Sequence, residues 1–221
     1  GDGTRKVEER PKSNGRALAA LVLMDPGLKP PVFPAGGFAY FDFNAFQRDI
    51  QVNALVAGVF NTASMAIPRL PLGLDASVRA SALLIKSDER PVKDGKLQDK
   101  DAVGHQFGRF GFGLGRDLGS GFRLETQAIL DYDRYGRPRD DAYETPGYVL
   151  PPSGWTREGR VTGSWMAHGF QVRAFQGWGH RPEGAFGAPG AVTPIPEAGR
   201  FTRWGGGMGQ SVELAPRTWL K

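Results

Sequence analysis

The stretch Gly121–Asp133, GFRLETQAILDYD, decides how the rest of the chain is read. Phe122, Leu124, Thr126, Ala128, Leu130 and Tyr132 fall on one side of an extended chain, and Arg123, Glu125, Gln127, Asp131 and Asp133 on the other, interrupted only by Ile129. A period of two specifies a strand with one apolar and one wet face. At about 3.4 Å per residue it is roughly 40 Å long, twice the usual strand.

The same alternation runs through most of the sequence. Ile50, Val52, Ala54 and Val56 alternate with Gln51 and Asn53; Leu74, Ala76, Val78, Ala80, Ala82 and Leu84 oppose Asp75, Ser77, Arg79 and Ser81. Phe110, Phe112 and Leu114 oppose Arg109 and glycines, Phe170, Val172, Ala174 and Trp178 oppose Gln171 and Arg173, and Trp204 and Met208 oppose Arg203. Ala39, Phe41 and Phe43 alternate with Asp42 and Asn44, with the phenylalanines read as the apolar face. No segment shows helical three-and-four spacing, so the chain is predicted to be all-β, with about ten strands.

The connections add a second signal. Ala45–Asp49, Leu70–Gly73, Arg116–Ser120 and Ala167–Gly169 are tight, whereas Ser87–Gly104, Tyr135–Arg157 and Arg181–Arg200 are long and polar. With strand directions alternating, the tight turns collect at one end and the long loops at the other, the asymmetry of a membrane barrel. The expected fold is an antiparallel up-and-down transmembrane β-barrel. Residues 1–15 form a flexible lead-in and residues 16–221 the barrel segment. Its apolar face meets lipid and its charged face a watery lumen lined by Asp42, Arg79, Arg109, Arg123, Glu125, Asp131, Arg173, Arg203 and Glu213. Tyr40, Phe60, Tyr132, Tyr135, Trp155, Trp178 and Trp204 are candidates for interfacial girdles. A soluble barrel or sandwich alternates in the same way, and that alternative stays open.

Composition narrows the function. Of 221 residues, 40% are hydrophobic and 23% charged, and no run approaches the roughly 20 apolar residues of a spanning helix. The chain has no cysteine, which removes disulfides, thiol catalysis and cysteine-bound zinc. The net charge of +5 is spread singly among acidic residues, which argues against a nucleic-acid interface. Glycine is abundant, with 32 residues, many inside strand-like runs such as Phe107–Gly115, where a backbone must bend or a neighbour packs close.

The segment Phe41–Ala63, FDFNAFQRDIQVNALVAGVFNTA, resembles the BamA-like outer-membrane superfamily of barrel-assembly and polypeptide-transport proteins. Those barrels carry a Leu-Phe-Gly-small-basic turn followed by an alternating strand; Ala45–Asp49 and Leu70–Leu74 stand where such turns belong. The resemblance implies a bacterial outer-membrane location. It also implies the lipid bilayer, unfolded outer-membrane proteins and other barrel-assembly components as partners. The superfamily's Val-Arg-Gly-Phe/Tyr lumen motif and its terminal Phe-ended strand are not in the sequence, so the resemblance implies an internal, incomplete barrel segment. A passive porin or substrate-specific channel is the alternative.

Catalytic and metal constellations are sparse, and no enzyme activity, cofactor or metal is expected. His105, His168 and His180 are far apart and read as surface residues, against a metal pair of His105 and His180. Asp131, Asp133 and Glu125 suit acid–base or calcium chemistry less well than a wall paired with Arg123, Arg173 or Arg203. Gly111–Gly115 and Gly205–Gly209 lack the helix and the Lys-Ser/Thr ending of a phosphate loop. Ser153 and Ser164 lack a nucleophile-elbow context.

Overall fold

The computed structural model describes residues 14–24, 32–90, 92–93, 96–97, 101–195, 198–210, 212–215 and 218–220. The strands among them are β1 (Asn14–Met24), β2 (Val32–Ala45), β3 (Ile50–Val56), β4 (Phe60–Leu70), β5 (Leu74–Glu89), β6 (Val92–Lys93), β7 (Lys96–Leu97), β8 (Val103–Gly119), β9 (Phe122–Gly136), β10 (Gly154–Ala167), β11 (Phe170–Arg181), β12 (Ala185–Phe186), β13 (Thr193–Pro194), β14 (Gly199–Gln210), β15 (Val212–Ala215) and β16 (Thr218–Leu220). Ten of them form one antiparallel sheet in the order β1-β2-β3-β4-β5-β8-β9-β10-β11-β14, so each strand pairs with its neighbour along the chain. The remaining six make small hairpins, β6–β7, β12–β13 and β15–β16. β14 ends at Gln210, and β15 pairs with β16 in a hairpin of its own.

Closure into a barrel is not detected among the described residues. There β1 pairs only with β2 and β14 only with β11, which leaves both outer edges open. β1 begins at Asn14, inside the expected lead-in, and residues 1–13 lie outside those described.

Tight reversals at residues 46–49, 71–73, 120–121 and 168–169 occupy one end of the sheet, and a short one at 57–59 lies at the other. Ser120–Gly121 and His168–Gly169 carry positive φ at both positions (49° and 80°, 49° and 78°), the backbone of a two-residue hairpin turn whose twist matches that of the strands. Residues 137–153 and 182–195, at the other end, belong to long loops.

Opposed residues in antiparallel strands share a face, so the register sorts every side chain. One row reads Asp42, Val52, Met65, Val78, Phe112, Ala128, Gly159, Trp178, Thr202. The adjacent row, on the other face, reads Phe41, Asn53, Ser64, Arg79, Gly111, Ile129, Glu158, Gly179, Phe201. The first row starts beside the tight turn in β2 and finishes beside the long loop in β14. The strands are therefore staggered progressively, as a tilted, coiled sheet requires.

On β9, β10 and β14 burial is inverted relative to a water-soluble fold, whereas on β3 and β5 Val52, Ala54, Ala76 and Val78 are less exposed than Gln51, Asn53, Ser77 and Arg79. Along β9 the even positions from Phe122 to Leu130 are exposed, and the odd positions from Arg123 to Asp133 are half-buried, as is Tyr132. Trp204 and Met208 are 85% and 82% exposed, while the Glu158 side chain is 3% exposed. The only large hydrophobic residues buried among those described are Val103 and Phe201. The charged face is also the concave one: Asn53 of β3 and Arg173 of β11, far apart in the strand order, line the same cavity.

Candidate functional site

The concave face carries a ladder of ion pairs that cross strands. Arg123 on β9 grips Asp75 on β5 with both terminal nitrogens, at 2.7 Å and 2.6 Å, and also reaches Asp117 at 3.1 Å. Arg109 on β8 donates to Asp131 on β9 at 2.9 Å. Glu158 on β10 collects Arg160, at 2.9 Å, and Arg203 on β14, whose Nε lies at 3.1 Å and whose second nitrogen completes a fork. Fork geometry of this kind is the strongest form of an arginine–carboxylate contact.

Glycine makes room for these side chains. Arg79 stands opposite Gly111, Arg173 opposite Gly207, and Arg160 and Arg203 both opposite Gly177. A Cβ on Gly177 would sit 2.5 Å from the Glu158 carboxylate, and one on Gly113 2.7 Å from the Ser77 hydroxyl. Gly115 and Gly177 are thus clearance for long charged groups lying across the sheet, whereas a Cβ on Gly111 or Gly207 would meet no side chain within 4 Å.

At the loop end, beyond the outward aromatic pair Tyr132–Trp155, whose rings are 5.1 Å apart, His105 is the hub. Its Nδ1 meets Glu89 on β5 at 2.5 Å, its Nε2 meets Asp133 on β9 at 2.9 Å, and its ring stacks on Tyr135 at 4.7 Å. Hydrogen bonds to Asp133 and then Glu89 outweigh partial burial and raise its pKa to about 9. Burial first, then the charges of Asp133 and Glu89, pushes the Tyr135 hydroxyl up to about 12. Beside them, the buried Asp88 carboxylate accepts the backbone N–H groups of Arg139 (2.7 Å) and Asp140 (3.3 Å), which pins the 137–153 loop over the sheet. Under that loop lies a cavity of about 380 Å³ lined by Tyr135, Tyr148, Asp133, Arg181 and several prolines.

Of the residues the sequence assigned to the charged face, Arg79, Arg109, Arg123, Glu125, Asp131, Arg173 and Arg203 do share one face. Asp42 does not: it registers with Val52 on the apolar face, and Phe41 takes its place on the polar one. A bulge between Asp42 and Ala45 lets β2 present either face, and Asp42 serves the turn by accepting the Asn44 N–H at 2.8 Å and the Tyr40 hydroxyl at 3.1 Å. The side chain of Glu213 lies outside those described. Among the girdle candidates, Tyr40, Tyr132, Trp155, Trp178 and Trp204 lie on the apolar face, whereas Phe60 and Tyr135 point to the concave side. The anticipated pairing of Asp131 or Asp133 with Arg123, Arg173 or Arg203 is replaced by the partners above, because the stagger sets other residues abreast.

Sequence reasoning missed Glu158, which follows directly on the Tyr135–Arg157 loop and is assigned to no strand there. Thr156, Glu158, Arg160, Thr162 and Ser164 nevertheless continue one polar alternation, and that signal was present. His105, read as a surface residue, has a side chain only 12% exposed. Among the described residues no group of three or more His, Asp or Glu side chains is arranged to hold a metal ion, and no helix is long and apolar enough to cross a membrane. Comparison with protein-family models, with curated proteins and with solved structures found no match.

Proposed function

We propose that this chain forms the membrane-spanning wall of a bacterial outer-membrane β-barrel, of the barrel-assembly and polypeptide-transport type that the Phe41–Ala63 resemblance implies. The observation that carries the barrel reading is the inverted burial of β9, β10 and β14: apolar side chains outside, ion pairs inside. In water such a convex face would be a very large exposed apolar patch; in a bilayer it is the matched surface. Two aromatic clusters frame it, Phe122–Trp165–Phe170 at the turn end and Tyr132–Trp155 at the loop end. From Phe122 to Tyr132 is about 34 Å along the strand at roughly 3.4 Å per residue, or about 24–28 Å at a tilt of about 35–45°, close to the ~25 Å apolar band of such barrels. The outward charges Asp42, Arg116 and Arg157 fall near the rims, where an arginine stem can carry its charge out to water.

The barrel reading is tested by folding the purified chain with and without micelles or liposomes. Circular dichroism and heat-modifiable gel mobility are expected to show β-structure only with lipid or detergent, and a folded monomer in plain buffer would overturn it. The assembly role predicts that liposomes carrying the chain speed the folding of an added, urea-unfolded outer-membrane protein. A second reading, a passive channel, is favoured by the cavity of about 360 Å³ on the concave face, whose lining includes four arginines. It predicts ion conductance without that acceleration.

A further inference from the structure

The concave face has a charge imbalance that the ion-pair ladder does not absorb. Arg79, Arg109, Arg160 and Arg173 line the cavity of about 360 Å³, together with a single carboxylate, Glu125. Arg109 is held by Asp131 and Arg160 by Glu158. Glu125 accepts the side-chain amide of Gln127 at 2.7 Å. Among the described residues, no ion-pair partner within 4 Å is recorded for Arg79 or Arg173, and both are exposed toward the cavity. They come from β5 and β11, which three strands separate, and each stands opposite a glycine, Gly111 and Gly207, around which no side chain comes within 4 Å of where a Cβ would be. Asn53, Ser64 and Ser77, on β3, β4 and β5, line the same cavity with neutral hydrogen-bonding groups.

From this geometry we infer a binding site for a small oxyanion, a phosphate or carboxylate group held between Arg79 and Arg173. The inference rests on the barrel reading for its watery interior, and deepens the channel reading by naming the solute class. Guanidinium groups match the oxygen spacing of phosphate and carboxylate with paired N–H donors. A cleft with low-dielectric walls concentrates the field of unpaired cations, so the excess acts on anions more strongly than the same charges on a convex surface. The neighbouring serine and asparagine groups supply the remaining hydrogen bonds that desolvation of an oxyanion requires.

The test uses the whole chain, with arginine side chains labelled with ¹⁵N, folded in micelles and titrated at constant ionic strength with inorganic phosphate and, separately, succinate. Saturable shifts of the Arg79 and Arg173 Nε–H signals, assigned by R79Q and R173Q, are expected for at least one probe. The tighter-binding probe tells phosphate recognition from carboxylate recognition. Either substitution should weaken binding by about tenfold or more, as loss of a charge-assisted pair does, while R116Q, on the apolar face, leaves it unchanged. Neither residue holds another part of the fold in place, so the variants are expected to fold; circular dichroism in the same micelles checks this. Linear, unsaturable shifts spread over all arginines, with either probe, would overturn the site. If the chain folds without micelles, the barrel reading fails, and the same titration run in buffer still decides for or against the oxyanion site.

Discussion

Glu158 is the residue on which the wall depends most. It is almost fully buried and neutralises Arg160 and Arg203 at once, and breaking such a pair from one side leaves uncompensated charge behind. Glu158→Gln is expected to cost about 3 kcal/mol in denaturant unfolding of the micelle-folded chain. Asp117→Asn, whose carboxylate is 78% exposed on the same kind of contact, should cost less than about 1 kcal/mol. His105 gives the pH dependence its sign. Its pKa is raised on folding from 6.5 to about 9, so its stabilising bridge is fully present below pH 6.5 and is lost as pH rises through about 9. Unfolding midpoints should fall across that window in the native chain, and the fall should flatten in His105→Gln. A midpoint that rises with pH there would refute the bridge. Neither role was legible in the sequence at this scale. What makes Glu158 and His105 matter is which strand passes beside them, and alternation carries no information about neighbours.

At the scale of strands and turns much more was legible. The faces of β5, β8, β9, β11 and β14 follow directly from polar residues at every second position, as with Arg123, Glu125, Gln127 and Asp131. β2 was read backwards because Phe38 and Tyr40 compete with Phe41 and Phe43 for the same assignment, and its bulge lies between Asp42 and Ala45. The loop-end cavity was invisible because the 137–153 and 182–195 segments have no period to read. The hairpin turns make their own prediction. Gly121 sits at φ 80°, and a Cβ there would collide with the Met166 carbonyl of the neighbouring strand. Gly121→Ala should therefore lower stability by more than about 1 kcal/mol. His168→Asn, which suits the left-handed position before Gly169, should raise it by a few tenths to about 1 kcal/mol. Both are read by thermal unfolding in micelles.

For the whole molecule, the apolar convex face is the feature to perturb. Phe112→Arg, in the middle of that face, should destabilise the lipid-folded chain by about 2–4 kcal/mol, against about 0–1 kcal/mol for Tyr132→Arg at the rim. Equal effects at the two depths would argue that no bilayer is involved. The open edges of β1 and β14 set a second requirement, since unpaired backbone groups cost several kcal/mol each in hydrocarbon. Amide exchange in micelles should be faster in β1 and β14 than in β8 and β9; equal protection would mean that something pairs the edges. The stagger has its own consequence for how this protein can change over evolution. Removing two residues from the middle of β9 preserves which side chains face which way, yet slides every later strand by about 7 Å against the earlier ones. Insertions in the 137–153 loop disturb no such alignment. Length variation in its relatives should therefore gather in the long loops, and the strands should keep their residue count even where their sequence drifts.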